Sequence, residues 1–97
     1  MELLGKIKVI KPTNQVNDSF KKRELVITTE EQHPQHVLIE FVQDKCPVLD
    51  SYNIGENVRV FINVRGREVV KDGEAKYYNQ LQGWRIERTD SAIPSQK

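Results

Sequence analysis

Residues 57–86 alternate between apolar and polar side chains on both sides of an Asp-Gly dipeptide, and this pattern constrains the fold more than any other feature. Every second residue from Val58 to Val64 is aliphatic, which is the period of a half-buried β-strand whose aliphatic residues face inward. Asp72-Gly73 favours a tight two-residue turn, because both residues tolerate the positive φ angles that this turn requires. The sequence therefore predicts a long β-hairpin with its turn at this dipeptide.

Two glycines in the hairpin predict irregular pairing. Gly66 is expected to mark a bulge in the first arm, after which pairing resumes. A second bulge at residues 82–83 is expected to bring Leu81, Trp84 and Ile86 to the inner side of the second arm. Trp84 is therefore predicted to be a core residue, since large aromatic side chains dominate the cores of small domains.

The rest of the chain contains three more alternating segments and one interruption. The alternation predicts strands at residues 3–11, 20–29 and 35–43. Residues 44–52 break the pattern, and Asp44 as a cap with Pro47 in the first turn predicts a short helix there. Cys46 is expected to be a small buried hydrophobic residue; as the single cysteine, it excludes an internal disulfide.

Three strands, a short helix and two strands is the element order of a five-stranded Greek-key barrel of the OB type. We therefore predict an all-β chain, folded as an OB-type barrel with one short helix between strands 3 and 4. The alternatives are an SH3-like barrel, which lacks the helix, and an open five-stranded α+β sheet. Residues 1–88 are expected to form a single domain, and the polar residues 89–97 a flexible C-terminal tail.

Three segments together resemble an uncharacterised family of short bacterial proteins: MELLGKI, GENVRVFINV and GREVVKDGEAKYYNQLQGWRI. The most distinctive matches are Gly66-Arg67-Glu68, Tyr77-Tyr78-Asn79 and Gly83-Trp84-Arg85-Ile86. The resemblance covers nearly the whole chain. It implies an OB-type fold like that of single-stranded DNA-binding proteins, and it implies no established activity and no catalytic residues.

The sequence contains no signature of an enzyme. No nucleophile motif, glycine-rich phosphate loop or obvious pair of carboxylates is present, so no catalytic residue is assigned. His33 and His36 are three residues apart, but Pro34 prevents a shared helix, so neither a metal site nor a cofactor is expected. With no signal peptide and no apolar run of about 20 residues, we expect a cytoplasmic protein without membrane contact.

The function that the residues favour is binding of single-stranded DNA or RNA. OB barrels that bind single strands combine an electropositive groove with aromatic faces on which bases stack. The net charge of +1 is low for a nucleic-acid binder, so the argument depends on a local patch. Tyr77 shares a side with Leu81 and is expected to be partly buried. The predicted interface consists of basic and aromatic side chains: Lys22, Arg23, Arg65, Arg67, Lys76, Phe61 and Tyr78.

The alternative function is a protein interaction or self-assembly module that does not bind nucleic acid. Phe61 is out of phase with Val60 and Ile62, so it is expected to face outward. An outward phenylalanine on a strand marks either a ligand-binding face or a subunit interface. On this hypothesis, a homodimer forms through strand edges or through the Phe61 face.

Overall fold

The computed structural model describes residues 1–89, most of which lie in β-strands. Residues 90–97, which belong to the predicted tail, lie outside the described residues. The elements in chain order are β1 (Glu2–Ile10), β2 (Asn14–Asn17), β3 (Phe20–Thr29), β4 (His36–Val42), a 3₁₀-helix (Gln43–Ser51), β5 (Asn57–Lys71) and β6 (Glu74–Arg88).

Five of the strands close into a ring. The order around the ring is β1-β5-β6-β4-β3, and the pairing of β3 with β1 closes the ring. The contact between β4 and β6 is a parallel bridge at Glu40 and Gln82, whereas the other pairings are antiparallel. The short β2 pairs with β3 and lies between two of the segments that were predicted to be strands. The prediction of a five-stranded barrel with a short helix between its third and fourth strands is confirmed.

The barrel interior is filled by alternate residues of the ring strands, as the period-2 pattern predicted. Gly5 lets β1 approach β3 closely, because a Cβ there would lie 2.5 Å from the backbone oxygen of Thr28. Cys46 and Leu49 of the 3₁₀-helix are also buried, which confirms the expectation for Cys46. The buried hydrophobic residues are Ile7, Leu25, Ile27, Ile39, Phe41, Cys46, Leu49, Val58, Val60, Ile62 and Ile86.

Arg88 fastens the end of β6 to the segment that precedes β5. Its Nε donates to Glu56 Oε2 at 2.7 Å, its Nη2 donates to the carbonyl oxygen of Ser51, and its guanidinium lies 4.3 Å from the centre of the Tyr52 ring. The hydrogen bond from Arg88 lowers the pKa of Glu56, and a second one from the backbone N–H of Asn53 acts in the same direction. The ionised form of Glu56 is therefore favoured in the folded protein.

This contact predicts a pH-dependent contribution to stability. In the unfolded chain the carboxyl of Glu56 has its ordinary pKa of 4.5, and folding lowers that pKa. The unfolded state therefore binds the proton first, so the stabilisation is complete above the ordinary pKa and is lost as the pH falls through the lowered one. We expect Glu56→Gln to reduce the free energy of unfolding at pH 7, and this difference from the wild type to vanish at low pH.

Urea unfolding at a series of pH values measures this difference. Glu87→Gln is the control, because it removes the carboxylate that pairs with Arg85 on the same strand without touching the Arg88 contacts. A constant difference between the wild type and Glu56→Gln from pH 7 to pH 3 would contradict the prediction.

β5 and β6 extend beyond the barrel as a two-stranded antiparallel ribbon, residues 63–82, called here the hairpin ribbon. Every residue from 63 to 80 is exposed. The radius of gyration is 15.4 Å, whereas a compact chain of this length has about 12.5 Å. Asp72 and Gly73 have φ angles of 53° and 77°, which is the type I′ turn that the Asp-Gly dipeptide predicted.

The hairpin differs from its prediction at three residues. Gly66 pairs with Asn79 in unbroken register, so the predicted bulge at Gly66 is wrong. Val64 keeps the inward side of β5, but it lies beyond the barrel and is 54% exposed. The prediction of a buried Trp84 is also wrong, since the side chain is 44% exposed.

The position of the bulge in β6 explains why Trp84 faces outward. Phe61 pairs with Arg85 and Ile62 pairs with Gly83, so Trp84 is the extra residue. Gly83 takes the inward position instead, where a Cβ would lie 2.5 Å from Cζ of Phe41. The barrel therefore has room for a glycine at this point and not for a tryptophan.

Candidate nucleic-acid interface

The hairpin ribbon has two faces of different chemistry. Residues paired across an antiparallel ladder share a face, and successive residues alternate between faces. We call one face the basic face: it consists of the odd-numbered residues 63–71 of β5 and the even-numbered residues 74–82 of β6. The other, the apolar face, consists of the even-numbered residues 64–70 and the odd-numbered residues 75–81.

Positive charge is concentrated on the basic face. Arg65, Arg67, Lys71 and Lys76 lie there with a single carboxylate, Glu74. Within residues 1–89, none of these four basic side chains forms an ion pair. The four basic side chains outnumber the nearby carboxylates of Glu74, which is paired with Lys71 across the ladder, and of Asp72 in the turn, so a chain with a net charge of +1 presents a local cationic strip.

Aromatic side chains lie on the same side of the sheet as this strip. Tyr78 is paired directly with Arg67 and is half exposed. At the base of the ribbon, the rings of Phe61 and Trp84 pack at 5.3 Å between centroids with an angle of 45°. The guanidinium of Arg85 lies 5.6 Å from the centre of the Phe61 ring. Phe61 faces outward, as predicted, and its side chain is partly covered.

A cleft runs beside the paired Arg67 and Tyr78. It has a volume of about 360 Å³, and Arg65 and Gln80 from the next residue pair also line it. A larger cavity of about 670 Å³ lies near the start of β5, at the opposite end of this strand from the ribbon turn. Lys6, Lys8 and Glu30 line this larger cavity, so its charge is mixed, with two basic residues and one acidic residue.

The outer wall of β3 and β4 is closer to electrical neutrality than the ribbon. Glu24 and Glu40 are paired directly across these strands. Lys22 lies 3.4 Å from Glu40, and Lys11 lies 3.3 Å from Glu24. Lys22 and Lys11 are therefore each already paired with a carboxylate that would repel a phosphate.

Arg23 has a different environment from the other predicted interface residues. Its Nε donates to the carbonyl oxygen of Lys11 at 2.7 Å, and its Nη1 donates to Asp50 Oδ1 at 2.7 Å and to the carbonyl oxygen of Cys46 at 3.1 Å. The side chain is 13% exposed. These contacts attach the 3₁₀-helix to the barrel.

The structure thus brings five of the seven predicted residues to one side of the β5–β6 sheet: Phe61, Arg65, Arg67, Lys76 and Tyr78. Lys22 lies on the neighbouring wall, which the bridge between Glu40 and Gln82 joins to the ribbon. Sequence reasoning missed Trp84, because the bulge was placed too early in β6. Tyr77 shares a face with Leu81, as predicted, but its side chain is 72% exposed, so the expected partial burial is wrong.

Two further observations concern residues 1–89 as a whole. Their His, Cys, Asp and Glu side chains do not form any group of three or more that is suited to holding a metal ion. Nowhere in the same residues does a helix have the length and apolar character needed to cross a lipid bilayer.

Solved structures with the same fold include three single-stranded DNA-binding proteins. The mitochondrial protein from S. cerevisiae superposes with a TM-score of 0.67 at 15% identity, covering 91% of each chain. The small single-stranded DNA-binding protein from Streptomyces coelicolor has a TM-score of 0.63 at 12% identity, covering 96% of this chain and 95% of that one. The Plasmodium falciparum protein, solved in complex with single-stranded DNA, has a TM-score of 0.60 at 16% identity and 93% coverage of both chains. These likenesses show an OB-type fold.

No curated protein matches the sequence. Residues 2–87, however, match the sequence profile of a family described as a domain of unknown function, DUF3127. The match spans the whole barrel and the hairpin ribbon. The chain therefore belongs to the DUF3127 family.

Proposed function

We propose that this protein binds single-stranded nucleic acid along the basic face of the hairpin ribbon and onto the aromatic pair at its base. The observation that carries the proposal is the segregation of charge between the two faces of the ribbon. Four basic side chains and one carboxylate lie on one face, and Glu68 is the only charged residue on the other. The fold likeness to three single-stranded DNA-binding proteins supports the same function.

Each part of the basic face has a role in this proposal. Arg65, Arg67 and Lys76 hold backbone phosphates, because their side chains are exposed and carry positive charge that no carboxylate within residues 1–89 neutralises. Tyr78 provides a face on which a base stacks, beside the guanidinium of Arg67. This mechanism needs no catalytic group.

The aromatic pair extends this binding surface to the barrel. Trp84 is half exposed and packs on Phe61, so it presents an indole face that is already held in place before a base arrives. Arg85 lies directly opposite Phe61 and adds positive charge there, although Glu87 pairs with it. Lys22 lies on the adjoining wall, where it would have to leave Glu40 to contact a phosphate. Arg23 is not part of the proposed interface, because its guanidinium already donates hydrogen bonds to Cys46 and Asp50 of the 3₁₀-helix.

A fluorescence anisotropy titration tests the proposal with labelled oligothymidine and oligouridine of about 30 nucleotides, a length that spans several OB-sized sites. Three phosphate contacts on a single strand, from Arg65, Arg67 and Lys76, predict that log K falls with log salt concentration with a slope of about −2. No binding to either oligonucleotide at low salt, where electrostatic attraction is strongest, would refute the proposal.

Tyr77 and Tyr78 provide a matched pair of variants, because they are neighbours on opposite faces of the ribbon. We expect Tyr78→Ala to weaken binding by about 5- to 150-fold, which corresponds to the loss of one base stack. Tyr77→Ala removes the same side chain from the apolar face and is expected to leave binding unchanged. An equal loss in both variants would show that the ribbon acts without a preferred face.

A further inference from the structure

Gln80 lines the cleft beside Arg67 and Tyr78 and has no role in the proposed function. The basic face contributes four side chains to this cleft: Arg65, Arg67, Tyr78 and Gln80. The proposed function assigns phosphates to the two arginines and a stacked base to Tyr78. The amide of Gln80 has no net charge to attract a phosphate, but it can form hydrogen bonds with the polar edge of a base.

The amide of Gln80 is available to a ligand. Its side chain is exposed, and no side-chain hydrogen bond within residues 1–89 involves it. The amides of Gln15, Gln35 and Gln43, by contrast, each donate to a backbone carbonyl oxygen. Those three amides stabilise the fold, whereas the donor and the acceptor of Gln80 can both bind a ligand.

The position of Gln80 suits contact with a base that stacks on Tyr78. The two residues follow each other on the same face of β6, so their backbones are about 7 Å apart. The long side chain of glutamine has many rotamers, so its amide can turn toward the edge of a base held by Tyr78. The cleft of about 360 Å³ lies within the range of sites for small ligands, about 300–1,000 Å³. Asn63 and Gln82 also carry amides on this face, but they lie outside the cleft.

The chemistry of an amide favours adenine as the base in this cleft. A primary amide presents a donor beside an acceptor. Adenine presents the complementary arrangement on two edges, N6–H beside N7 and N6–H beside N1, and glutamine is a common partner of adenine N6 and N7. Guanine offers such an arrangement on one edge only, because its N7 and O6 are both acceptors. Cytosine and thymine have a single ring, and therefore a smaller face to stack on Tyr78.

We propose that Gln80 makes this cleft a subsite for adenine within the single strand. The base stacks on Tyr78, and the amide of Gln80 accepts a hydrogen bond from N6–H while it donates one to N7 or N1 of the same base. Both edges are accessible, since an unpaired base exposes its Watson–Crick edge as well as its Hoogsteen edge. The inference rests on the proposed function and adds a preference for strands that contain adenine.

A fluorescence anisotropy titration with two matched oligonucleotides tests this contact. One is a deoxyadenosine oligomer of about 12 nucleotides, a length within the range of one OB-sized site. The other carries purine, which lacks the N6 amino group, in place of every adenine. We expect the wild type to bind the adenine oligomer about 2- to 12-fold more tightly, which corresponds to one hydrogen bond. In Gln80→Leu we expect this ratio to fall toward 1, and an unchanged ratio would overturn the proposal.

The preference between natural bases gives a second measurement on the same variant. We expect Gln80→Leu to lose more affinity for the adenine oligomer than for oligothymidine of the same length. Any stacking among the adenines of the free oligomer is the same for the wild type and the variant, so it cancels from this comparison. Equal losses on the two oligomers would refute the preference for adenine.

Asn79→Leu is the matched control, because it removes the neighbouring amide from the opposite face. Asn79 also borders the cleft, but its Oδ1 lies 3.4 Å from the position that a Cβ on Gly66 would take, which places its amide on the apolar face. We expect Asn79→Leu to keep the wild-type ratio of affinities for the adenine and purine oligomers. A fall in this ratio as large as that in Gln80→Leu would refute the assignment of the contact to Gln80.

The same titrations separate this inference from the proposed function. If the wild type binds none of the oligomers at low salt, the proposed function and the adenine subsite are both wrong. If it binds them all with the expected salt dependence, but the ratios are the same in Gln80→Leu, the adenine subsite alone is wrong.

Discussion

We expect the Arg65→Glu/Arg67→Glu variant to lose more than about 100-fold in affinity for a single-stranded oligonucleotide. Both side chains lie on the basic face, and neither forms an ion pair within residues 1–89. Each hydrogen bond between a charged side chain and its partner contributes about 1.5–3 kcal/mol, so losing two removes at least about 3 kcal/mol. The new carboxylates then repel the phosphates and increase the loss.

The salt dependence provides a second measurement on the same variant. With two of the three phosphate contacts removed, the slope of log K against log salt concentration is expected to change from about −2 to about −0.7. The same anisotropy titration measures both quantities. Circular dichroism confirms that the barrel is intact, which we expect because both residues lie outside the core.

Lys6→Glu/Lys8→Glu is the control for net charge. It changes the charge of the chain by the same amount, but both lysines are exposed on β1, which lies between β5 and β3 in the ring and pairs with neither β6 nor β4. We expect this variant to bind nearly as well as the wild type. Equal losses in the two variants would mean that the overall charge, and not the ribbon, controls binding.

The second large effect is expected at Gly83. Gly83→Ala should lower the free energy of unfolding by about 1–3 kcal/mol, which is the usual cost of overpacking a core. The new Cβ would lie 2.5 Å from Cζ of Phe41 and 2.8 Å from two other atoms of the ring. Phe41 is 1% exposed and therefore has no room to move aside. Urea unfolding measures the change.

Gly66 supplies the matched control on the partner strand. Gly66→Ala places its Cβ 3.4 Å from a flexible exposed side chain, so the expected change lies within about 0.5 kcal/mol. A double variant tests the cause directly. In Gly83→Ala/Phe41→Leu the smaller side chain relieves the collision, so the combined loss is expected to be less than the sum of the single losses. Additive losses would show that the ring of Phe41 is not the obstacle.

Much of the barrel was predictable because its strands have a strong period-2 pattern. The bounds of β3 at residues 20–29 agree with their prediction, and β4 differs by one residue at each end. The faces that carry Leu25, Ile27, Ile39 and Phe41 are buried as expected. Alternation is a local property that each strand shows by itself, so it can be read without knowing the strand's neighbours.

Part of the candidate interface could also be predicted from the sequence alone. The Asp72-Gly73 turn fixes the register of the hairpin, because a two-residue loop leaves one way to pair the flanking strands. That register alone places Arg67 opposite Tyr78 and separates it from Tyr77. The sequence analysis accordingly placed Arg67 and Tyr78 in the predicted interface and Tyr77 on the side of Leu81, and its error in the ribbon was the bulge expected at Gly66.

The sequence by itself determined the positions of the five barrel strands along the chain, the aliphatic core and the turn of the long hairpin, because these depend on local periodicity and on residues that tolerate positive φ. The tertiary structure alone decided which parts of the hairpin are covered. β1 pairs with β5 as far as Phe61, so Val64 lies beyond the barrel and reaches solvent. The ring of Phe41 admits only a glycine at position 83, so Trp84 faces outward. Such contacts join residues that are distant in the chain, so they cannot be predicted from the local pattern of any one strand.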